Sequence, residues 1–488
     1  MKRATGRSDQ KMAASNAPML PVLAFFVFGV NLVGSIYASL YGRGLYGDAA
    51  ALLVILYERS WPLISLSSSR ATVELLRQWP VVLLSRYTSA SLFECGELLT
   101  FVMLSLPTLF CAACWPIAPR TQKAWILFPI TFLLTGFAAT SMNAIGEAAI
   151  ASSYYWILLF VLQFRTRSIA GQCLFLLICV PAYRLHEGTF LLTIALLFAL
   201  ALRIQRSPDR SREKIFVRFA FVLLMTILAY QIVSIIFPAY PDDRAHIIQA
   251  LMHFEFLYYD HHFNLPLFTG TVAMMSLGGV LYARATLPPR EANRTMKMIV
   301  VVWAIVALVA ISVAITVEES FSPFAQNQAR YVPSITSAFL AVAMILLRRF
   351  DVPEQLWVNR ATIFILFSLC ATQAVADAAA TRRWNTYVAD LQSRLIKWQG
   401  LVPWEETLQT GDERADTNWR LFNIGWVVPF PCIIFAPNGI VNAIIDLPKG
   451  TSFRLLDPER PDLLPKLRGI NFAPYKRYLA DQIANRPP

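Results

Sequence analysis

The stretch that decides the fold is "MLPVLAFFVFGVNLVGSIYASLY", residues 19–41, which runs directly into "GRGLYGDAA", residues 42–50. The first segment carries no charged side chain, and it is long enough to cross about 30 Å of hydrocarbon as a helix. The second segment places an acid, Asp48, where the chain leaves that helix. We therefore predict a membrane span that opens into a loop headed by a carboxylate.

The whole chain repeats this pattern. It has 488 residues, of which 56% are hydrophobic and 15% charged, and this balance is too apolar for a soluble enzyme. Because only helices and closed barrels satisfy their backbone in lipid, long apolar runs predict an all-α polytopic membrane protein. The predicted spans number about eleven and cover 19–41, 92–118, 124–141, 145–163, 169–183, 187–202, 216–238, 264–283, 298–317, 333–347 and 359–380.

The basic N-terminus, residues 1–18, could belong to a signal peptide. The apolar run after it, however, is longer than the usual h-region of about 7 to 15 residues, and no A-x-A site follows. We interpret it as an uncleaved span with a cytoplasmic N-terminus. With this orientation, 21 lysine and arginine residues lie in inner segments and 8 lie in outer loops, as the positive-inside rule predicts. The net charge of +12 thus indicates a multi-pass protein of the bacterial inner membrane, and no nucleic-acid partner.

Three regions lack the long apolar runs of membrane spans. Loop 42–91 has charges at near-helical spacing, which predicts one or two amphipathic helices in the outer interface, anchored by Trp61 and Trp79. Loop 239–263 predicts a second interfacial element. Residues 381–488 predict a small α+β domain in the periplasm, with a hairpin in "VVPFPCIIFAPNGIVNAIID" at 427–446. An even number of spans would place this domain inside instead.

Ionisable residues at span boundaries are the first site candidates, because such residues are costly in lipid and usually face a cavity. Asp48 is either a solvated acid or a partly covered general base. Asn143 and Glu147 lie in a second outer loop, and a third holds Arg184, His186 and Glu187. Mutual neutralisation of Arg184 and Glu187 is the alternative there.

Two further motifs are open to two interpretations each. Arg330 and Tyr331 precede Pro333, which we expect to open a helix, and this combination suits either a phosphate site or an interface anchor. The loop with Asp242, Asp243 and His246 could bind a divalent metal or simply be hydrated. His261 and His262 follow in the same loop as further site candidates.

Taken together, Asp48, the loop of Asn143 and Glu147, and the sequence Arg330-Tyr331-x-Pro333 resemble the GT-C class of integral-membrane glycosyltransferases over residues 19–380. Many members have a second acid two residues after the first, whereas Asp48 is followed by two alanines. The resemblance therefore implies no certain cofactor, and Mg²⁺ or Mn²⁺ is one option.

What the resemblance implies is transfer of a sugar, with inversion, from a polyprenyl phosphate to a hydroxyl of a lipid or cell-envelope glycan at the outer face. Asp48 is then the first candidate for the general base and Glu147 the second. The candidates for binding the donor phosphate are Arg330, Tyr331, Arg184 and Arg43. The expected partners are the lipid-linked donor, the acceptor and membrane lipids.

Three other functions stay open. A polymerase or ligase of O-antigen type would depend on Arg184, His186 and the histidine-rich loop more than on Asp48. A transporter or flippase of lipid-linked glycans would place charges deep inside spans, whereas here most charges lie at span ends. A non-catalytic membrane partner would use the C-terminal domain for interactions.

Overall fold

The computed structural model describes residues 19–62, 70–138, 140–141, 146–206, 212–237, 264–316, 326–407, 422, 428–446, 459–460, 462 and 464–484. This part of the chain is almost entirely helical. The helices are α1 (Met19–Leu40), α2 (Asp48–Arg59), α3 (Ala71–Tyr87), α4 (Leu92–Ile117), α5 (Leu127–Phe132), α6 (Glu147–Phe164), α7 (Ile169–Ala182), α8 (Phe190–Arg206), α9 (Arg212–Ile236), α10 (Leu265–Thr286), α11 (Pro289–Thr316), α12 (Gln326–Arg349), α13 (Glu354–Trp357), α14 (Arg360–Lys397), α15 (Trp404–Thr407), α16 (Pro429–Ile434) and α17 (Ala473–Ala484).

Among these described residues, nine helices are long and apolar enough to cross a membrane. They confirm a polytopic helical membrane protein. Two of the predicted spans have a different form. Helix α7 is apolar but short, and residues 120–137 combine a 3₁₀ turn, α5 and a π turn. The predicted total of eleven spans therefore stays a prediction.

Local sequence explains where several spans begin. Ser91 and Glu94 form a reciprocal capping box at the start of α4, in which each side chain accepts a hydrogen bond from the other residue's backbone N–H. Asn359 caps α14 by accepting from Thr362 N at 3.1 Å. Helix α14 continues to Lys397, beyond the predicted span end at 380. At 1.5 Å per residue its 38 residues extend about 57 Å, longer than a bilayer core.

The predicted helices of loop 42–91 are present as α2 and α3, but their surroundings differ from the expected interfacial pair. Helix α2 is covered by protein on most sides, since most of its apolar side chains are buried. Helix α3 buries polar residues such as Glu74 and Arg77, while Trp79, Leu83 and Tyr87 are exposed along one stripe. This aromatic and leucine stripe therefore points away from the protein, although Val73, Val81 and Val82 of the same helix are buried.

The C-terminal segment packs on α2, the beginning of α4 and the second half of α14 around one apolar core. Its only strands among the described residues are β1 (Gly400–Val402) and β2 (Ala443–Ile445), which pair in parallel. The predicted hairpin at 427–446 is wrong, because the first half forms α16 and the second half pairs with β1 instead. The predicted outer location of this segment stays a prediction.

Candidate functional site

Five charged side chains meet where α3 packs against the starts of α6 and the segment leading into α8. We name Arg70, Glu74, Arg77, Glu147 and Glu187 the carboxylate–arginine cluster. Arg70 joins its two halves: Nη1 lies 3.0 Å from Glu147 Oε2, and Nε donates to Glu187 Oε1 at 3.0 Å. Nη2 of Arg70 also contacts Glu187. One guanidinium thus links α3 to two span entrances.

Arg77 makes the second set of contacts. Its Nη2 lies 2.6 Å from Glu74 Oε1 and 2.6 Å from Glu147 Oε1, and its Nε donates to Glu74 Oε2 at 2.9 Å. Gln78 also donates to Glu74. Glu74 is only 2% exposed and Arg77 only 6%. Because a buried charge is costly unless it is paired, this part of the cluster depends on its internal contacts.

The cluster has three carboxyl groups and two guanidinium groups. Burial raises the pKa of Glu74 to about 7, although the charge of Arg77 opposes this shift. Burial disfavours the charge on Arg77, but the nearby carboxylates of Glu147 and Glu74 raise its pKa. The neighbouring carboxylate of Glu147 also favours a proton on Glu74. When Glu74 carries a proton, the two remaining carboxylate charges of the cluster balance its two guanidinium charges.

The turn before α8 supplies the next layer. Gly188 N donates to His186 Nδ1 at 2.9 Å, so a neutral ring carries its proton on Nε2. That Nε2 lies 4.0 Å from Glu187 Oε1. The carbonyl of Arg184 accepts from Thr72 N at 2.9 Å, which ties this turn to α3. The Arg184 side chain is exposed and its Nε donates to Tyr230 Oη at 3.4 Å. Glu187 thus pairs with Arg70 and not with Arg184.

Asp48 belongs to a different helix from the members of the cluster. It is the first residue of α2 and half-buried, and Gly47 precedes it with a φ of 67° and a ψ of −141°, a conformation that favours glycine. A carboxylate in the first turn of a helix is stabilised by the N-terminal N–H groups. Burial and the neighbouring charge of Asp48 raise the pKa of Tyr46 above its ordinary value. Among the acid candidates within the described residues, Asp48 is the most accessible.

Arg43, a predicted phosphate ligand, is 3% exposed and is paired inside the protein. Its Nη2 lies 2.5 Å from Asp377 Oδ1, and its Nη1 donates to the Asp377 carbonyl at 3.0 Å. Ser141 Oγ donates to Asp377 Oδ1 at 3.2 Å. The pair connects the turn after α1 to α14. A phosphate would have to compete with Asp377 for this guanidinium.

The motif at 330–333 differs in one respect from the expectation. Helix α12 begins at Gln326, so Pro333 lies inside the helix and does not open it. Tyr331 is half-buried within α12. Arg330 belongs to the helix, but its side chain lies outside the described residues. Its assignment as a phosphate ligand stays a prediction.

Several predicted site residues also lie outside the described part of the chain, namely Asn143, Asp242, Asp243, His246, His261 and His262. Within the described ranges, no group of three His, Cys, Asp or Glu side chains could hold a metal ion. The proposed metal ligands of loop 239–263 are therefore untested, and the question of Mg²⁺ or Mn²⁺ stays open with them.

Three members of the cluster were not singled out from the sequence. Arg70, Glu74 and Arg77 recur at near-helical spacing, which predicts an amphipathic helix in the outer interface. They lie on the side of α3 opposite Trp79, Leu83 and Tyr87, but this spacing does not tell which side meets protein. Asp377 was also missed, although an acid inside the last apolar run is itself an indication of a buried partner.

Comparison with known proteins adds nothing to this geometry. No protein-family model matches the chain. No curated protein and no solved structure matches it either. The function must therefore be argued from the residues of this chain alone.

Proposed function

We propose that this protein is a membrane glycosyltransferase that moves a sugar from a polyprenyl phosphate to a hydroxyl acceptor, with inversion. The observation that carries the proposal is the carboxylate–arginine cluster, built where α3 meets two span entrances. Acids buried at a span end are costly, and such residues usually serve a function. An amphiphilic donor also requires a site at a membrane surface, and the exposed apolar stripe of α3 borders this one.

The proposed reaction balances without a covalent intermediate. A base takes the proton of the acceptor hydroxyl, whose oxygen attacks the anomeric carbon from the face opposite the donor oxygen. The bond from that carbon to the phosphate oxygen breaks, and the phosphate leaves with the electron pair. The departing phosphate gains charge and needs cations nearby.

We assign the base to Asp48, because it is half-buried at the start of α2 while the cluster carboxyls are enclosed. Glu147 stays the second candidate. Arg184 is the leading cation for the phosphate, since its guanidinium is exposed and pairs with no acid among the described residues. By the resemblance, we also assign phosphate binding to Arg330, Tyr331 and Arg43. The cluster then positions α3 and the turn that carries Arg184.

The proposal extends to topology. We place the cluster and the C-terminal segment on the periplasmic side of a bacterial inner membrane, with the N-terminus in the cytoplasm. The support is the excess of basic residues in the segments assigned to the inner side. Reporter fusions at the C-terminus that fluoresce or react only in the cytoplasm would contradict this orientation.

The deciding experiment supplies membranes containing the protein with a panel of labelled polyprenyl-phosphate sugars and follows transfer of label to lipid or glycan. We expect Asp48→Asn to reduce transfer at least about 100-fold, the usual contribution of general acid–base catalysis. Glu58→Gln, an exposed acid in the same helix, is the matched control and should stay active. Full activity of the Asp48 variant would exclude Asp48 as the base.

One observation favours a second candidate, an enzyme of O-antigen polymerase or ligase type. His186 Nε2 lies 4.0 Å from Glu187 Oε1, and Glu187 contacts Arg70 of the cluster. This candidate predicts that His186→Ala abolishes transfer between lipid-linked glycans while Asp48→Asn does not. The two enzymes are therefore distinguished by the same pair of variants. A transporter would catalyse neither kind of glycosyl transfer, but it would move labelled lipid across the membrane of vesicles.

A further inference from the structure

The far end of helix α6 carries a charge pattern opposite to that of the cluster. Helix α6 begins at Glu147 and has 18 residues, so its end at Phe164 lies about 27 Å away along the helix axis. That distance is close to the thickness of a bilayer core. Around this end lie six basic side chains that we name the basic patch: Arg120, Lys123, Arg165, Arg167, Arg203 and Arg348.

Arg348 is the centre of the patch. Its Cζ lies 4.4 Å from the ring centroid of Phe164, in the last turn of α6. Arg203 Nη1 donates to the Leu162 carbonyl of the same turn at 2.7 Å, and Arg167 follows that turn directly. Arg348 thus lies near two other basic residues, Arg167 and Arg203, at one helix end. Their mutual repulsion favours anions in the surroundings.

The acids of the described residues do not neutralise the patch. Glu213 is engaged by Arg203, with 2.6 Å between Oε1 and Nη2. Asp351 is the remaining carboxylate that acts on Arg348. Arg348 Nη1 is buried, and within the described part of the chain no acceptor reaches it. A buried guanidinium N–H without an acceptor is unfavourable, so the hydrogen bonding of Arg348 is incomplete within the described part of the chain.

The other basic residues have a different use. Arg165 Nε donates to the Ile117 carbonyl at 2.9 Å, and Lys123 Nζ donates to the Ala118 carbonyl at 2.9 Å. Both therefore satisfy carbonyl groups at the end of α4, where cations are favoured by the helix dipole. Within the described part of the chain, Arg167 and Arg348 make no such carbonyl contact, and they are left for a ligand.

We propose that the basic patch binds the phosphate of an anionic phospholipid headgroup between Arg167 and Arg348. The choice of a lipid follows from the surroundings. Ile169 and Phe350 are exposed apolar side chains beside these arginines, so the patch lies where headgroups meet acyl chains. An arginine fork suits phosphate oxygens, and the exposed guanidinium of Arg167 is open to a headgroup. The inference is independent of the proposed glycosyl transfer.

The test uses the full-length protein after delipidation in detergent and counts bound lipid by native mass spectrometry. Phosphatidylglycerol should bind more tightly than phosphatidylethanolamine. Arg348→Gln should weaken phosphatidylglycerol binding about fivefold, which corresponds to about 1 kcal/mol per basic residue. Arg294→Gln removes an exposed arginine of α11 outside the patch and should leave binding unchanged.

The possible outcomes separate the sources of phosphate. Equal lipid binding by wild type and Arg348→Gln, or equal loss in the Arg294 control, would overturn the site. Displacement of the lipid by millimolar inorganic phosphate would assign the patch to free phosphate and overturn the lipid assignment. If Arg348→Gln does not yield a monodisperse protein, Arg167→Gln replaces an exposed residue of the same site and should show the same selective loss.

Discussion

The carboxylate–arginine cluster and the pair of Arg43 with Asp377 are both buried ionic contacts, yet they are built for different purposes. The pair matches one arginine with one acid and joins the turn after α1 to α14. The cluster matches two arginines with three acids and joins three elements. A one-to-one pair can be replaced by apolar side chains, whereas an unequal set must take up a proton or a ligand cation.

This comparison teaches that burial alone does not identify a functional site. Arg43 was predicted from the sequence to bind phosphate, but its guanidinium has a fixed partner in Asp377. Glu74 has partners as well, and burial raises its pKa to about 7. The unequal number of acids and arginines, and the proton that Glu74 takes up as a result, distinguish the two regions. The predictions below test that difference.

The largest effect should come from Arg77→Met. The change leaves Glu74 and Glu147 facing each other without their shared cation, and removing one partner of a buried ion pair costs about 3–5 kcal/mol. Unfolding followed in detergent should show that loss, and glycosyl transfer should fall to background. Arg86→Met is the control, because Arg86 is an exposed residue of the same helix. Equal stability of both variants would show that the cluster contributes nothing to α3 docking.

The next effect tests the pair by a double-mutant cycle. Arg43→Met and Asp377→Leu should each destabilise the protein by about 3 kcal/mol, since each leaves one buried charge unpaired. The double variant should recover most of that loss, as an apolar replacement of an ion pair often does. Transfer activity should recover with stability. A double variant that is stable but inactive would return Arg43 to the role of phosphate ligand.

A smaller effect concerns the pH dependence of stability. The pKa of Glu74 is raised in the folded state from 4.5 to about 7, so the folded protein holds a proton that the unfolded chain releases. The contribution of the protonated group is fully present below pH 4.5 and is lost as pH rises through about 7, with a slope of at most about 1.4 kcal/mol per pH unit. The charged groups that act on Glu74 are Arg77 and Glu147.

Glu74→Gln should therefore flatten the melting temperature between pH 4.5 and pH 7, because an amide keeps the size of the side chain without its titration. Glu58→Gln serves again as the control, since Glu58 is exposed on α2. Two parallel profiles, one from each variant, would mean that another group governs this range. A steeper fall in the Glu74 variant would reverse the sign of the argument.

The sequence predicted the membrane class and the span positions well, because apolar runs of fixed length have one structural solution in lipid. It also identified Glu147 and Glu187 as site candidates from their positions at span ends, and the structure places both in the cluster. It missed Arg70, Glu74 and Arg77, since helical periodicity gives two sides of a helix but not which side meets protein. Only the packing of α3 decides that.

The hairpin prediction in the C-terminal segment failed for a related reason. The segment around Asn438 and Gly439 has the residues of a tight turn, and a local interpretation pairs its two flanking runs. In the structure the second run pairs with β1, which lies far upstream after α14. Pairing between distant segments depends on how α14 and the C-terminal core bring them together, and turn composition does not contain that information.

The smallest effect on stability, and the last distinction between the two regions, concerns the outer side of α3. The Arg43–Asp377 pair is enclosed by protein, whereas α3 turns Trp79, Leu83 and Tyr87 outward, with Tyr87 72% exposed.

A nitroxide attached at Leu83→Cys, with exposed Cys173 replaced by serine, should collide with oxygen more often than with a water-soluble nickel chelate in vesicles. The same label at Glu58→Cys should show the reverse order, because that exposed position is a charged site on α2 beside the backbone of Lys466. We expect either substitution to change the free energy of unfolding by no more than about 0.5 kcal/mol, as is usual for surface sites. An aqueous pattern at Leu83 would mean that the stripe does not lie in lipid, and a polyprenyl donor would then need another route to the cluster.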